Sequence, residues 1–281
     1  MRAPIGVILL MAIGAWMVEA PVPSSATVES VRFAVIGDSG TGDRYQYEVA
    51  QQLIESHRRF PFELVIMLGD NIYGRQDPED FVRKFEEPYR LLLEGGVRFY
   101  ASLGNHDNQR NRFYGPFNMG GERYYTFARR NARFFVLDSD YLDAKQLAWL
   151  DEALGSARDD WKICYFHHPL YSDGGRHGSE LDLRVVLEPL LVRHGVNVVF
   201  SGHDHVYERL KPQRGIYYFV AGAAGQLRKG NLRPSVMTAA AFDQDQSFML
   251  VEIAGAEMSF QAISRTGQTV DSGVIHKEVR P

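Results

Sequence analysis

Residues 31–40 read VRFAVIGDSG, an apolar run typical of a buried strand that ends on a Gly-Asp pair. The arrangement returns in FELVIMLGDNIY (62–73), KICYFHHP (162–169) and VNVVFSGHDH (196–205), and more weakly in RFYASLGNHD (98–107). Each run predicts a strand that is followed at once by Asp, Asn, Tyr or His. We therefore expect the strand ends to bring these polar side chains to one rim.

Helical patterns separate the predicted strands, which favours an α/β or mixed layered architecture. Apolar spacing predicts helices at 44–59, 78–93, 144–157 and 180–194, the second of them interrupted near Pro88. After Gly215 the pattern changes to strands in GIYYFVAGAAG, SFMLVEIAG and EMSFQAISRTG. Residues 226–246 show little periodicity and are interpreted as a surface loop or as a flap over the site.

Composition and charge indicate one large domain without a polyanionic partner. The chain has 281 residues, of which 45% are apolar, and this is enough for a sizeable core. A net charge of −4 and the absence of any Lys/Arg run argue against nucleic-acid binding. Cys164 is the only cysteine, so no intrachain disulfide can form, and its apolar surroundings indicate a buried filler.

Residues 1–26 have the features of a signal peptide. Arg2 gives a positive start, residues 5–18 form an apolar core, and small residues follow. Cleavage after Ala26 fits the small-residue rule, with cleavage after Ala20 as the alternative. An uncleaved anchor is a further alternative, but the apolar stretch is shorter than the ~20 residues that span a bilayer. We expect a secreted or periplasmic protein with no stable membrane association after signal removal.

Asp38 and Asp70 occupy equivalent positions after the first two predicted strands. Two carboxylates at neighbouring strand ends repel each other unless a cation lies between them. Glycines on both sides of Asp38 permit a tight turn behind its carboxylate. Tyr73 follows Asp70 by three residues, a spacing that lets a turn bring phenol and carboxylate together. Taken alone, Tyr73 is better explained as a tyrosine packed under a loop.

Amide and imidazole groups follow the later predicted strands. Asn105 offers a hard oxygen ligand, and His106 beside it is a candidate acid or hydrogen-bond donor. Asp107 is equally explained as a cap for the next segment. His167 and His168 are adjacent, so in an extended segment they point to opposite sides and only one is expected to be a ligand.

The histidines are concentrated where the carboxylates are. His203 and His205 lie two residues apart, so an extended strand end aims both imidazoles to one side. A lone histidine in any of these places is more often a buried structural residue. Six of the nine histidines nevertheless lie in or just after the five runs: His106, His167, His168, His177, His203 and His205. Imidazole clustered with carboxylate suits a metal site.

The ordered series GDSG, GDNIY, GNHD, HHP and GHDH resembles the calcineurin-like metallophosphoesterases. Tyr73 three residues after Asp70 narrows the resemblance to the purple acid phosphatase type, in a short single-domain form. The resemblance covers roughly everything after Ser30, and we expect a catalytic domain over residues 30–281. It implies a four-layer αββα sandwich with two mixed β-sheets and a binuclear metal site at the C-terminal ends of the strands.

The resemblance also implies a metal-ligand set. Its members are the carboxylate, phenol, amide and imidazole groups at the strand ends: Asp38, Asp70, Tyr73, Asn105, His167, His203 and His205. Four of them, Asp38, Asp70, Tyr73 and His205, are implied to hold Fe(III), with a charge-transfer colour from the Tyr73 phenolate. The remaining three complete a site for Fe(II), Zn(II) or Mn(II), which Asp70 bridges to the first metal.

The implied activity is that of a secreted acid phosphatase. His106 and His177 are implied to contact phosphate and assist the leaving group, while attack by metal-bound hydroxide hydrolyses the phosphate monoester. His168 matches a variable family position and is left unassigned. The substrate is a small phosphate ester, with pocket walls that are expected to include Tyr171, Arg176 and Arg228.

Two alternatives remain open at the level of the sequence. One is a phosphodiesterase or nucleotide hydrolase on the same fold, because the same metal pair accepts a diester. The other is a non-catalytic protein that binds phosphate or metal. The sequence does not specify an oligomeric state.

Overall fold

The computed structural model describes residues 30–277, which form two stacked mixed β-sheets with helices on both outer faces. The predicted signal peptide lies outside the described residues. Within 30–277, none of the helices is long and apolar enough to cross a bilayer.

Sheet I has six strands and sheet II has seven. The order in sheet I is β13 (Thr269–His276), β12 (Glu257–Ser264), β11 (Ser247–Ala254), β1 (Ser30–Ile36), β2 (Leu64–Leu68) and β3 (Arg98–Ser102). The order in sheet II is β10 (Thr238–Phe242), β8 (Tyr207–Leu210), β9 (Tyr217–Ala221), β7 (Val198–Ser201), β6 (Trp161–Tyr165), β5 (Ala132–Val136) and β4 (Tyr125–Arg129).

Parallel strands form the centre of each sheet. In sheet I, β1, β2 and β3 run parallel, and in sheet II the parallel set is β5, β6, β7 and β9. The remaining strands pair antiparallel at the flanks. Because parallel strands carry their carboxyl ends at the same edge, the polar residues after β1, β2, β3, β6 and β7 emerge together.

In the described part of the chain, five α-helices cover the sheets: α1 (Arg44–Arg59), α2 (Pro78–Phe81), α3 (Glu87–Glu94), α4 (Ala144–Ser156) and α5 (Leu181–Arg193). Apolar residues of α1 and α3 pack on the outer face of sheet I, and those of α4 and α5 pack on the outer face of sheet II. A third apolar cluster fills the space between the sheets. The order of layers is therefore helix, sheet, sheet, helix, and the predicted four-layer sandwich is confirmed.

The predicted helices are found within about two residues of their expected ends, with one difference. The expected break near Pro88 lies earlier, in a π-helical turn at Val82–Glu86 that separates α2 from α3. Pro88 itself lies directly after this turn, at the start of α3.

Segment 226–246 is not entirely a loop. It contains β10, which pairs antiparallel with β8 at the edge of sheet II. The prediction of an irregular segment was wrong for these residues because TAAAF has little apolar alternation, and the pairing comes from a strand about 30 residues away. Cys164 is buried in the cluster beneath α4 and α5, as expected of an apolar filler.

Phe33 tests the contact between the two sheets. It is fully buried, and its ring makes edge-to-face contacts with Phe134 at 5.3 Å and Phe200 at 6.1 Å, both from sheet II. We expect Phe33→Ala to lower the free energy of unfolding by ~3–5 kcal/mol in urea denaturation. Phe113→Ala is the control, because Phe113 is 65% exposed and should change stability by no more than ~0.5 kcal/mol. Equal effects of the two substitutions would contradict this packing.

Candidate metal centre

The first group of donor atoms consists of Asp38, Tyr73 and His205. Oδ1 of Asp38 lies 3.3 Å from the Tyr73 hydroxyl and 3.2 Å from Nε2 of His205, and the hydroxyl lies 3.4 Å from the same nitrogen. Asp38 follows β1, Tyr73 follows β2 and His205 follows β7, so both sheets contribute. We call this the tyrosine half-site.

The second group consists of Asn105, His167 and His203. Oδ1 of Asn105 lies 3.0 Å from Nε2 of His167 and 3.1 Å from Nδ1 of His203, and the two nitrogens are 3.1 Å apart. These residues follow β3, β6 and β7. We call this the histidine half-site.

Asp70 lies between the two half-sites. Its carboxylate, that of Asp38 and the His205 imidazole offer ligand atoms that lie within 4.8 Å of one another. Its Oδ1 is also 3.5 Å from Nε2 of His167, on the other side. The backbone N–H of His106 donates to the same oxygen at 2.9 Å, which orients the carboxylate. All seven sequence-predicted ligands are therefore brought to one place, and Asp70 adjoins both groups.

The histidine half-site fits a cation because its acceptors face one another. Nδ1 of His167 lies 2.9 Å from the Leu68 carbonyl oxygen, which can only accept, so this nitrogen carries the proton. Burial holds the pKa of His167 well below its ordinary value, so the ring is neutral and Nε2 presents a lone pair. That lone pair points at oxygens of Asn105 and Asp70. A cation between them converts this repulsion into ligation.

The separations also match metal ligation. Bonds of ~2.1 Å at tetrahedral or octahedral angles place neighbouring ligand atoms ~3.0–3.4 Å apart. The donor atoms within the two half-sites lie 3.0–3.4 Å apart. Carboxylate, amide, phenol and imidazole donors suit iron, zinc and manganese. The residues present therefore fit a pair of metal ions.

Ionisation in the tyrosine half-site depends on positive charge. Burial, followed by the charge of Asp70, raises the pKa of Asp38 well above its ordinary value. Burial and the charges of Asp38 and Asp70 raise the pKa of Tyr73, so a phenolate there requires a cation. Burial and the nearby guanidinium of Arg228 lower the pKa of His205 to about 4, which keeps the imidazole available as a ligand near neutral pH.

Backbone strain coincides with the donors. Asp38, Asp70 and His203 have φ values of 54°, 51° and 69°, in the left-handed region that residues other than glycine seldom adopt. Such conformations cost ~1–3 kcal/mol each and persist where the surrounding structure enforces them. One contact that enforces them is the hydrogen bond from the backbone N–H of His203 to Oδ2 of Asp38, at 2.9 Å.

His168 differs from the sequence expectation. It was expected to point away from His167, but a ring nitrogen of His168 lies within 4.8 Å of donor nitrogens of His167 and His203. Its Nδ1 is 2.9 Å from the hydroxyl of Ser139, and the ring centroid is 4.4 Å from that of His203. Strand β6 ends at Tyr165, so the alternation of side chains no longer applies at His168.

The two histidines expected to contact phosphate lie at the exposed mouth of the centre. The His106 ring is 5.0 Å from that of Tyr73, and the His177 ring is 4.2 Å from that of His203. Both side chains are solvent-exposed. They therefore lie beside the tyrosine and histidine half-sites respectively, on the side that faces solvent.

Two buried aspartates support the donor loops and were not assigned that role from the sequence. Asp107 is not a helix cap: its carboxylate accepts from the backbone N–H groups of Asn71, Ile72 and Gly104, which ties the Asp70 loop to the Asn105 loop. Burial and the charge of Asp70 raise the pKa of Asp107 to about 7.

The second supporting aspartate is Asp204, between the histidines of GHDH. Its Oδ2 accepts from the Ser172 hydroxyl at 2.6 Å and from the Gly178 backbone at 3.0 Å. It thereby holds both ends of the segment that carries His177. Neither aspartate could be assigned from its motif, because Asn71 and Ile72 are distant in sequence from Asp107, and Ser172 and Gly178 are distant from Asp204.

One expected wall residue is not at the site. Tyr171 is buried in the apolar cluster under α5, and its hydroxyl donates to Glu188 at 2.7 Å. Arg228 does lie beside the centre, since its backbone N–H donates to the His205 carbonyl oxygen at 2.9 Å, and Arg176 directly precedes His177 in the chain.

Comparisons with known proteins agree with this geometry. The calcineurin-like phosphoesterase family matches residues 31–207. The human tartrate-resistant acid phosphatase type 5 is 26% identical to this chain in an alignment 317 residues long. The alignment covers 93% of this chain and 95% of the human protein.

Two solved structures have the same fold. The structure titled GAP50, the anchor in the inner membrane complex of Plasmodium, matches with a TM-score of 0.75 and 20% identity, covering 89% of both chains. Purple acid phosphatase PPD1 from yellow lupin seeds matches with a TM-score of 0.73 and 18% identity, covering 89% of this chain and 54% of the lupin chain.

A substitution at Gly104 tests how closely the backbone packs against the Asp70 carboxylate. A Cβ at this position would lie 2.3 Å from Oδ1 of Asp70 and 2.9 Å from Nδ1 of His167. We expect Gly104→Ala to weaken metal binding by ~10–100-fold in chelator competition, because it displaces two donors. Gly115→Ala is the control, since its Cβ would meet nothing within 4 Å. Unchanged metal affinity in a folded Gly104→Ala protein would contradict the geometry.

Proposed function

The chain belongs to the calcineurin-like phosphoesterase family, and from this membership we propose that it is an acid phosphatase that hydrolyses phosphate monoesters. Its class is that of a metal-dependent phosphoester hydrolase. The single observation that supports the proposal most is the pair of half-sites that adjoin the Asp70 carboxylate. Two groups of donors around one bridging carboxylate suit a binuclear centre.

We propose a division of the ligands that follows the two half-sites. Asp38, Tyr73 and His205 would hold Fe(III), because a phenolate is a hard anionic donor that suits a trivalent ion. Asn105, His167 and His203 would hold Fe(II), Zn(II) or Mn(II), and Asp70 would bridge. When bound, such a pair of ions supplies Lewis-acid charge to the phosphate oxygens and lowers the pKa of solvent water.

The residues of the chain position the substrate and move protons. His106 and His177 stand on either side of the mouth, at the ends of their half-sites. In our proposal they donate hydrogen bonds to phosphate, and His177 gives a proton to the leaving-group oxygen. The loop contacts made by Asp107 and Asp204 keep these groups in register with the buried donors.

The wider assignment extends to the whole chain. We propose that residues 1–26 direct export to a secreted or periplasmic location and that residues 30–281 form the catalytic domain. The positive start and apolar core of the first segment support export. The substrate is a small phosphate ester.

Colour tests the Fe(III) assignment. We expect the iron-loaded protein to bind about two metal ions per chain and to show a visible band that disappears in Tyr73→Phe, because the phenolate donates the charge. Tyr45→Phe is the control, since Tyr45 lies 40% exposed on α1. A colourless protein that binds no iron would overturn the Fe(III) assignment and leave a zinc or manganese hydrolase.

Turnover tests the shared carboxylate. We expect Asp70→Asn and Asn105→Ala to reduce hydrolysis of an aryl phosphate monoester by at least ~100-fold, since each removes a metal-facing oxygen. Circular dichroism establishes that the variants fold. Near-normal turnover in both variants would contradict the mechanism. A separate comparison uses the parent enzyme: if it cleaves a bis-aryl diester faster than the aryl monoester, the activity is that of a phosphodiesterase and not of a phosphomonoesterase.

A further inference from the structure

Gln76 joins the loop after β2 to the loop after β3. Its Nε2 donates to the backbone carbonyl oxygen of Ile72 at 2.7 Å and to that of His106. Its Oε1 accepts from the backbone N–H of Asn108 at 2.7 Å and from Nδ2 of Asn111 at 2.9 Å. One side chain thus contacts both loops through four hydrogen bonds.

The orientation of the Gln76 amide follows from its partners. The backbone N–H of Asn108 can only donate, so the atom that faces it is Oε1. The carbonyl groups of Ile72 and His106 can only accept, so Nε2 faces them. Both N–H donors and both lone pairs of the amide are therefore used, and a flipped amide would bring an acceptor against two acceptors.

The backbone of Gln76 is held in a conformation that few residues adopt. Its φ of 62° lies in the left-handed region. Its N–H donates to Oδ2 of Asp80 at 3.0 Å, and Oδ1 of Asp80 lies 2.6 Å from Nζ of the buried Lys84. The same Nζ donates to the carbonyl oxygen of Tyr73. The position of Gln76 is therefore fixed relative to Tyr73.

His106 depends on its backbone for its position. Among the described residues, no hydrogen bond or ion pair reaches its imidazole, which packs against the Tyr73 ring with centroids 5.0 Å apart. Its backbone N–H donates to Oδ1 of Asp70 at 2.9 Å, and its carbonyl oxygen accepts from Gln76. These two backbone hydrogen bonds, one on each side of the residue, therefore set the position of the exposed ring.

The buried Asp107 does not replace the contact made by Gln76. Its carboxylate accepts from the N–H of Gly104, which precedes His106 in the chain. Gln76 instead binds the His106 carbonyl and the N–H of Asn108, which follows. The loop is thus held before and after His106 by different side chains, and without the Gln76 amide the second of these supports would be lost.

We propose that Gln76 is a positioning residue that holds His106 where its imidazole contacts the substrate phosphate. This inference rests on the proposed phosphatase function, in which His106 donates a hydrogen bond to phosphate. Loss of the Gln76 donors would free the His106 carbonyl, so the ring would occupy the position that reaches phosphate less often. In the described part of the chain Gln76 contacts no candidate metal ligand, so the metal donors should stay in place.

The test measures the inhibition constant of orthophosphate during hydrolysis of an aryl phosphate monoester by the metal-loaded enzyme. Gln76→Met removes the amide and keeps the length of the side chain. We expect it to raise the inhibition constant about fivefold or more, because the hydrogen bond from His106 to a charged phosphate weakens. Metal content should equal that of the parent enzyme.

Gln51→Met is the matched control. It removes the same amide from an exposed position on α1, where Nε2 donates only to Glu55 at 3.1 Å. It should leave both the inhibition constant and the metal content unchanged.

A double-mutant cycle separates positioning from a general effect on stability. In a His106→Ala background, Gln76→Met should raise the inhibition constant by less than about twofold, because no imidazole remains to be positioned. A merely structural role would lower the Tm and change the inhibition constant by the same factor in both backgrounds.

Gln76→Glu provides the same comparison if Gln76→Met does not fold. Glutamate keeps an acceptor for Asn108 and Asn111 but replaces Nε2 with an oxygen that faces the carbonyl oxygens of Ile72 and His106. It should therefore raise the inhibition constant at least as much as Gln76→Met, again only when His106 is present.

Three results would overturn the inference: an unchanged inhibition constant in folded Gln76 variants, an equal change with and without His106, or loss of metal from both Gln76 variants. A His106→Ala enzyme that binds orthophosphate as tightly as the parent would overturn the role of His106 and this inference with it. In each of these cases turnover by the parent enzyme leaves the phosphatase function standing. A metal-loaded parent enzyme that hydrolyses no phosphate monoester would instead overturn the proposed function itself.

Discussion

The repulsion among acceptor atoms that face one another at the strand ends is the constraint on which the rest of the structure depends. The lone pair of His167 points at oxygens of Asn105 and Asp70, and the carboxylate of Asp38 adjoins that of Asp70. Without positive charge, this arrangement would push the loops apart. With a cation in each half-site, the same contacts would hold the ends of both sheets together. The centre would then link the sheets as well as serve as a site for chemistry.

The surrounding structure enforces that arrangement from behind. Glycine at 104 lets the backbone pass close to Asp70, and the left-handed backbone at Asp38, Asp70 and His203 turns the donors inward as soon as the strands end. Asp107 then joins the Asp70 and Asn105 loops through buried hydrogen bonds. Strain in one part of the rim is therefore offset by hydrogen bonds in another, which hold the donors in place for a metal ion and a substrate.

Much of this could be predicted from the sequence, because strand, turn and ligand follow one another directly in each motif. The runs around Asp38 and Asp70 indicate both the strands and the edge at which they end. The sequence could not predict the side-chain directions and hydrogen-bond partners that depend on residues far away in the chain. His168 faces the centre because the chain bends after β6. Tyr171 turns away toward Glu188, which only the packing of α5 brings near.

The same limit applies to the mouth of the site. Arg228 lies in a segment of low periodicity, yet its backbone N–H donates to the carbonyl oxygen of His205. Sequence spacing alone could not place that segment beside the candidate ligands. The donor atoms thus follow from local motif chemistry, whereas the mouth of the site follows from tertiary contacts.

Anomalous X-ray scattering from crystals of the iron- and zinc-loaded protein tests the central claim most directly. Our account predicts two peaks ~3.5–4 Å apart, one within bonding distance of Asp38, Tyr73 and His205 and the other within bonding distance of Asn105, His167 and His203, with Asp70 touching both. No peak in these half-sites, or a single peak that Asp70 does not contact, would contradict it.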